Sequence, residues 1–137
     1  MAYEQTVHSI SLPVKSTATV LAGYAVNIQT DGTVAPGASA AQGFVTGILL
    51  EDVNTTSGNN KQGSIAIPNG AAVKVVAANA YTTPTAGDYV SFDTSGNCIA
   101  YTNGSGHRCW GTVLVGGVAN GIITIQFMPT VPVSFTA

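Results

Sequence analysis

This sequence has very few charged residues. Only 7% of its 137 residues are charged, where about a quarter is usual. The four basic residues are scattered along the chain, and with six acids they give a formal net charge of -2. Nucleic acids and anionic membrane surfaces are bound through clustered Lys and Arg. The sequence therefore argues against a nucleic-acid partner and against a membrane partner.

Long apolar runs and helical periodicity are missing as well. No stretch approaches the roughly 18 apolar residues of a membrane span. The first residues lack the positive charge and apolar run of a signal peptide, so we expect a protein made and used in soluble form. The segment richest in helix formers, residues 35–44, is interrupted by proline and glycine and is interpreted as a loop.

Alternation of apolar and polar residues is the dominant pattern that is present. The chain is 45% hydrophobic with sixteen glycines, and apolar residues recur at every second position in many short segments. Such segments are typical of strands with one face on a core. Asp, Asn and Gly clusters that suit hairpin turns separate them. We predict an all-β fold, a compact antiparallel barrel or sandwich of about eleven short strands.

A repeat underlies this pattern. The phrase "AGYAVNIQTDGTV" from Ala22 returns as "AGDYVSFDTSGNCI" from Ala86, an offset of 64 that also carries Gly47 onto Gly111. Three later positions of each copy match at an offset of 58, with the difference removed from a polar loop. We predict two pseudo-repeated units, at about 21–67 and 86–127, joined by a linking segment. Gly47 and Gly111 lie inside apolar runs and predict a bulge or a close backbone approach.

The repeat units are too small to be separate domains. We therefore expect one β-domain over residues 1–137. Its parts are an N-terminal arm or strand (1–16), the duplicated core (17–128) and a C-terminal arm (129–137). The last segment alternates apolar residues but is interrupted by prolines, so it is either an edge strand or a segment that docks on a neighbour.

Cys98 and Cys109 are the first candidates for chemistry. The offset aligns them with Val34 and Val45, so both are expected at inward-facing positions across one hairpin. Two readings stay open: a pair of small buried hydrophobic residues, or a cross-strand disulfide. A metal site that adds His107 lacks a fourth ligand and a suitable spacing, so no metal is predicted.

Catalytic constellations are not found. Asp93, Ser105 and His107 could be written as a triad, but the nucleophile elbow is absent. Asp31, Asp88 and Asp93 flank turns, where a carboxylate bonds its own backbone. We predict that the protein is not an enzyme and uses no cofactor.

Three segments carry a family resemblance. "AGDYVSFDTSGNC", "GHRCWGTVLV" and "GIITIQF" resemble the capsid decoration (cement) proteins of tailed bacteriophages, over about residues 21–128. The resemblance implies a structural virion protein that is made in the host cytoplasm, binds the major capsid protein on the outer head surface and stabilises the mature capsid. It also implies a homo-oligomer, with a trimer favoured. The contact residues that we expect lie in the terminal segments: Tyr3, Val131, Val133 and Phe135.

The alternative is a glycan-binding β-domain of a phage fibre or a cell-surface adhesin. Aromatic rings that stack on sugars would carry that function. The candidates are Tyr81, Tyr89, Tyr101 and Trp110.

Overall fold

Ten strands form the fold in the computed structural model, which describes residues 7–15, 19–38, 43–55, 61–103 and 107–132. These ranges contain no helix, so the all-β prediction is confirmed. The first five strands are β1 (Ser9–Val14), β2 (Ala25–Ile28), β3 (Val34–Pro36), β4 (Gly47–Leu49) and β5 (Lys61–Ala66). The second five are β6 (Ala72–Val76), β7 (Tyr89–Phe92), β8 (Cys98–Ala100), β9 (Gly111–Val115) and β10 (Ile122–Phe127).

The first five strands close into a barrel in the order β1-β3-β2-β4-β5. Antiparallel pairing of β1 with β5 runs from Ser9 opposite Ala66 to Val14 opposite Lys61. The barrel is closed on the other side by a short parallel contact, in which Val14 pairs with Val34 of β3. Closure leaves this half of the molecule without a long free sheet edge.

The second five strands form a five-stranded sheet in the order β6-β10-β9-β7-β8. This is the strand order of the first barrel, read around it from β1 through β5. An isolated parallel bridge from Ala77 to Cys98 joins the two ends of the sheet. It is the counterpart of the Val14 to Val34 contact, and equivalent backbone hydrogen bonds support this correspondence. Lys15 N–H donates to the Val34 carbonyl, and Ala78 N–H donates to the Cys98 carbonyl, both at 2.8 Å. We call the two halves the first barrel and the second barrel.

The predicted duplication is confirmed by strand pairing at the offset of 64. Val26 lies opposite Pro36 in the first barrel, and Val90 lies opposite Ala100 in the second. The repeat is longer than the predicted units 21–67 and 86–127, because β1 and β6 are its first strands. The segment predicted as a linker therefore contains β6, and the N-terminal strand is part of a barrel wall.

The predicted offset of 58 for the last strand of each unit is wrong. Leu49 pairs with Ile65 in the first barrel, and its counterpart Val113 pairs with Ile125 in the second. The structural offset of this strand is therefore 60. A shift of two residues leaves the same side chains facing the core, so the apolar pattern could not distinguish the two alignments.

Two apolar clusters fill the interior. One lies inside the first barrel and includes Val14, Leu49 and Ile65. The larger one fills the second barrel and continues into the contact with the first, where Ala25 and Ile48 join it. The prediction of a single domain remains a prediction, and this shared cluster supports it.

Candidate interaction surface

The predicted contact residues are only partly within the described ranges. Tyr3, Val133 and Phe135 lie outside them. Val131 is 86% exposed and lines a shallow groove of about 350 Å³ with Tyr101 and Arg108, among others. The groove wall is held in place by backbone bonding, since Thr130 N–H donates to the Cys109 carbonyl at 3.0 Å. The start of the C-terminal segment therefore continues the pairing between β10 and the chain that leads into β9.

Both cysteines are buried free thiols. They lie on opposite sides of β7, because Cys98 on β8 pairs with Phe92 and Cys109 lies two residues before β9. Two strand spacings separate them by roughly 9–10 Å, beyond the about 7 Å that a disulfide spans between Cα atoms. The cross-strand disulfide, one of the two readings left open, is not formed in this structure, because β7 lies between the two cysteines instead of a hairpin that would pair them. Burial raises the pKa of both thiols, which keeps them protonated.

The four aromatic candidates for sugar stacking do not form one platform. Trp110 is buried, and its Nε1–H donates to the Gly43 carbonyl at 2.9 Å. Tyr81 is also buried and donates its hydroxyl to Asp88 at 2.7 Å; burial and this bond raise the pKa of Tyr81. Tyr89 and Tyr101 are left as a partly exposed pair on neighbouring segments. Burial of Tyr81 and Trp110 therefore leaves two of the four candidate rings available for stacking on a sugar.

The acidic side chains stabilise turns, as predicted. Asp31 accepts hydrogen bonds from the Thr33 amide and hydroxyl and lies 3.0 Å from Lys15 Nζ. These partners hold the pKa of Asp31 well below its usual range. Asp93 accepts from the amides of Ser95 and Asn97. The carboxylates in these turns are committed to local structure rather than gathered in a cleft.

The described ranges contain neither a metal-binding cluster nor a membrane-spanning helix. They contain no cluster of three or more His, Cys, Asp and Glu that could hold an ion. Nor do the same residues include a helix long and apolar enough to cross a bilayer. Ser105, one of the three residues considered as a triad, lies outside the described ranges.

The sequence interpretation missed an exposed apolar part of the surface. Leu114, Val115, Val118 and Ile122 are exposed on the hairpin of β9 and β10. We call these four residues the hairpin patch. A β-bulge lies here, because pairing moves from Thr124 opposite Val115 to Ile125 opposite Val113 and leaves Leu114 as the extra residue. The bulge disturbs strict alternation, which is why period-two reasoning gave no warning of two adjacent exposed apolar side chains.

A second apolar feature lies beside this patch, where the two barrels meet. We call it the inter-barrel groove; its volume is about 480 Å³. Its walls come from both barrels: Val7, Ala22, Gly23, Leu49, Leu50, Ala72, Val73, Lys74 and Ile122. The groove could be found only in the folded chain, since its walls come from five separate parts of the sequence.

Comparisons with known proteins agree with this architecture. Residues 1–128 match the family described as "Structural cement protein (E217 gp24/Pam3 gp6)". Among solved structures, the crystal structure of the head fiber gp8.5 N base in bacteriophage phi29 is similar, with a TM-score of 0.62 and 15% identity. The similarity covers 88% of this chain and 94% of that chain, and at this identity it shows a shared fold. No curated protein sequence matches the chain.

Proposed function

Because this chain belongs to the family of phage structural cement proteins, we propose that it binds the major capsid protein on the outer surface of an assembled head. The family match over residues 1–128 is the observation that carries this proposal. It makes the protein a structural virion component that stabilises the capsid. We further propose that the coat protein is the partner, that the outer face of the head is the location and that the chain is made in the host cytoplasm.

The surface chemistry supports a large protein contact. Charged residues are depleted at the centres of protein interfaces because their desolvation is costly. This chain has 7% charged residues in all. Of the described acids, Asp31, Asp52 and Glu51 already accept hydrogen bonds from their own chain. A coat protein could therefore bury much of this surface without stripping water from free charges.

Self-association is part of the proposal. A homo-oligomer, with a trimer favoured, would present several copies of each weak contact to the coat lattice at once. Linked contacts add through effective concentration, so affinity for an assembled head can greatly exceed affinity for one coat subunit. This reasoning predicts preference for assembled, expanded shells over free coat protein.

No enzymatic activity is proposed. The family is structural, both cysteines are buried thiols whose pKa is raised by burial, and the acids serve turns. The glycan-binding alternative has no supporting observation, because Tyr81 and Trp110 are buried in the core.

A binding experiment with phage heads tests the proposal. Expanded heads of the encoding phage that lack this protein would be mixed with the purified chain and sedimented. We expect saturable binding to expanded heads, weak binding to unexpanded heads, and a higher temperature of DNA release after binding. Failure to co-sediment with expanded heads at micromolar concentrations would contradict it. A denatured and refolded sample that regains binding provides the control for correct folding.

A further inference from the structure

The hairpin patch is a group of apolar side chains that are largely exposed to solvent. Leu114 and Val115 on β9 are 47% and 61% exposed, Val118 in the connection is 66% exposed, and Ile122 on β10 is 57% exposed. Val115, Thr124 and Ile122 share one face of the sheet, since Val115 lies opposite Thr124 and Ile122 is two residues along. Contiguous exposed apolar side chains of this kind mark interaction sites.

The internal repeat provides a matched comparison for this patch. The position of Val115 is occupied by Glu51 in the first barrel, at the offset of 64. The position of Ile122 is occupied by Gln62, at the offset of 60. Glu51 accepts a hydrogen bond from the Ser64 amide at 3.0 Å, and Gln62 accepts one from the Ser11 hydroxyl at 3.1 Å.

This barrel architecture therefore accommodates polar side chains at both positions. The apolar residues of the second barrel are not required by folding, because the first barrel folds in the same way without them. A requirement outside the fold, such as contact with another protein, explains the difference between the two copies.

The inter-barrel groove is the chemical counterpart of the patch. Of the described residues that line it, Lys74 alone is charged, and Lys74 is exposed, so its amine can stay in water. The remaining lining residues are aliphatic or glycine. Ile122 belongs to both features, so the exposed patch and the concave groove are neighbours on one side of the molecule.

The charge distribution identifies the occupant of the groove. From Cys109 to Ala137 the chain has no charged residue, so the uncharged hairpin matches the aliphatic lining of the groove. The groove that matches an uncharged, exposed hairpin is present on this same chain. We propose that the hairpin patch of one copy packs into the inter-barrel groove of the next copy.

In the favoured trimer each copy offers its patch to one neighbour and its groove to the other, so the contact is head-to-tail, and such contacts close into rings when the rotation allows. This inference rests on the self-association in the proposed function and specifies which surfaces the copies use. It assigns the side with patch and groove to the contact between copies, and leaves the rest of the surface for the coat.

Two variants at exposed positions test the contact. Val115→Glu places in the patch the residue that the first barrel has there, and Ala72→Glu places a carboxylate on the groove wall. Ile28→Glu is the matched control, because Ile28 is 48% exposed but lies in neither feature. Sedimentation equilibrium without heads should show at least a tenfold weaker association for each test variant and wild-type association for the control. Circular dichroism melting curves should match the wild type.

Mixing the two test variants separates packing of the patch into the groove from packing of patch against patch. Val115→Glu keeps an intact groove and Ala72→Glu keeps an intact patch, so an equimolar mixture should form a one-to-one dimer. Absence of that dimer would overturn the head-to-tail contact, as would a monomeric wild-type protein at high micromolar concentration.

Head binding distinguishes the remaining outcome. If Val115→Glu and Ala72→Glu lose binding to expanded heads while their self-association is unchanged, the surface faces the coat and our inference is wrong. Association is measured without heads. Failure of the proposed contact between copies is therefore distinguishable from failure of the proposed function, in which the wild type does not bind heads at all.

Discussion

At the residue scale, the close approach of neighbouring backbones determines which positions must be glycine. The sequence predicts that Gly47 and Gly111 mark a bulge or a close backbone approach, and both lie at close approaches. A Cβ at Gly47 would meet the Ala66 carbonyl oxygen, and one at Gly111 would meet that of Gln126, its counterpart at the offset of 60. Gly111 also has a φ of +144°, which other residues rarely adopt.

We expect Gly111→Ala to lower the free energy of unfolding by about 2–4 kcal/mol, because backbone strain and overpacking act together. Gly87→Ala is the control: its φ is +95°, but a Cβ there has no neighbour within 4 Å. Strain alone should cost about 1–2 kcal/mol at Gly87. Urea denaturation measures the free energy of unfolding of both variants. Equal losses for Gly111→Ala and Gly87→Ala would contradict the close approach at Gly111.

The cysteines give a second prediction at this scale. We expect neither Cys98 nor Cys109 to react readily with a thiol reagent in the folded protein, since both are buried and burial raises their pKa. In denaturant without reductant, both thiols of each chain should react. Cys109→Ser should reduce the count to one, and an unreactive denatured wild type would show that a disulfide had formed.

At the element scale, equivalent parts of the two barrels have different surroundings. The turn that contains Gly96 packs against the first barrel, where Ala25 N–H donates to the Gly96 carbonyl at 2.9 Å. Its counterpart at Gly32 has open space around it. Trp110 makes another such link: it bonds the Gly43 carbonyl and contacts the rings of Phe44 and Phe127. Contact between the barrels thus rests on a few specific elements of each.

We expect Trp110→Phe to lower the free energy of unfolding by about 2–4 kcal/mol, because the buried Gly43 carbonyl loses its donor and a cavity remains. Amides of residues 43–46 should exchange hydrogen faster, since the bond that secures this segment to the second barrel is gone. Tyr89→Phe, at a partly exposed ring, should change stability by about 0.5 kcal/mol or less. Unchanged exchange in 43–46 would contradict the anchoring role.

At the scale of the whole molecule, the two barrels share a core, and this predicts one cooperative unit. Ile65 and Ile125 are equivalent by strand pairing and both are fully buried, one in each cluster. Ile65→Ala and Ile125→Ala should each cost about 2–5 kcal/mol. Trp110, the single tryptophan, reports on the second barrel.

In a single domain, Ile65→Ala in the first barrel shifts the Trp110 fluorescence transition as far as it shifts the circular dichroism transition. Ile125→Ala should behave in the same way. A Trp110 transition that Ile65→Ala leaves in place would show two independently unfolding barrels and would contradict the single domain.

The sequence by itself determined the strand class, the hairpin turns and the duplication, because each depends on local periodicity and on turn residues a few positions apart. It also placed Cys98 and Cys109 at buried positions, through their alignment with Val34 and Val45. Only the tertiary structure decided the offset of 60 in the last strand, since a slip of two residues keeps every side chain on the same face. It also separated the two cysteines by β7, and it exposed the hairpin patch beside a groove built from distant segments. Those features depend on which backbones pair and which faces remain uncovered, and one strand's pattern carries no information about its neighbours.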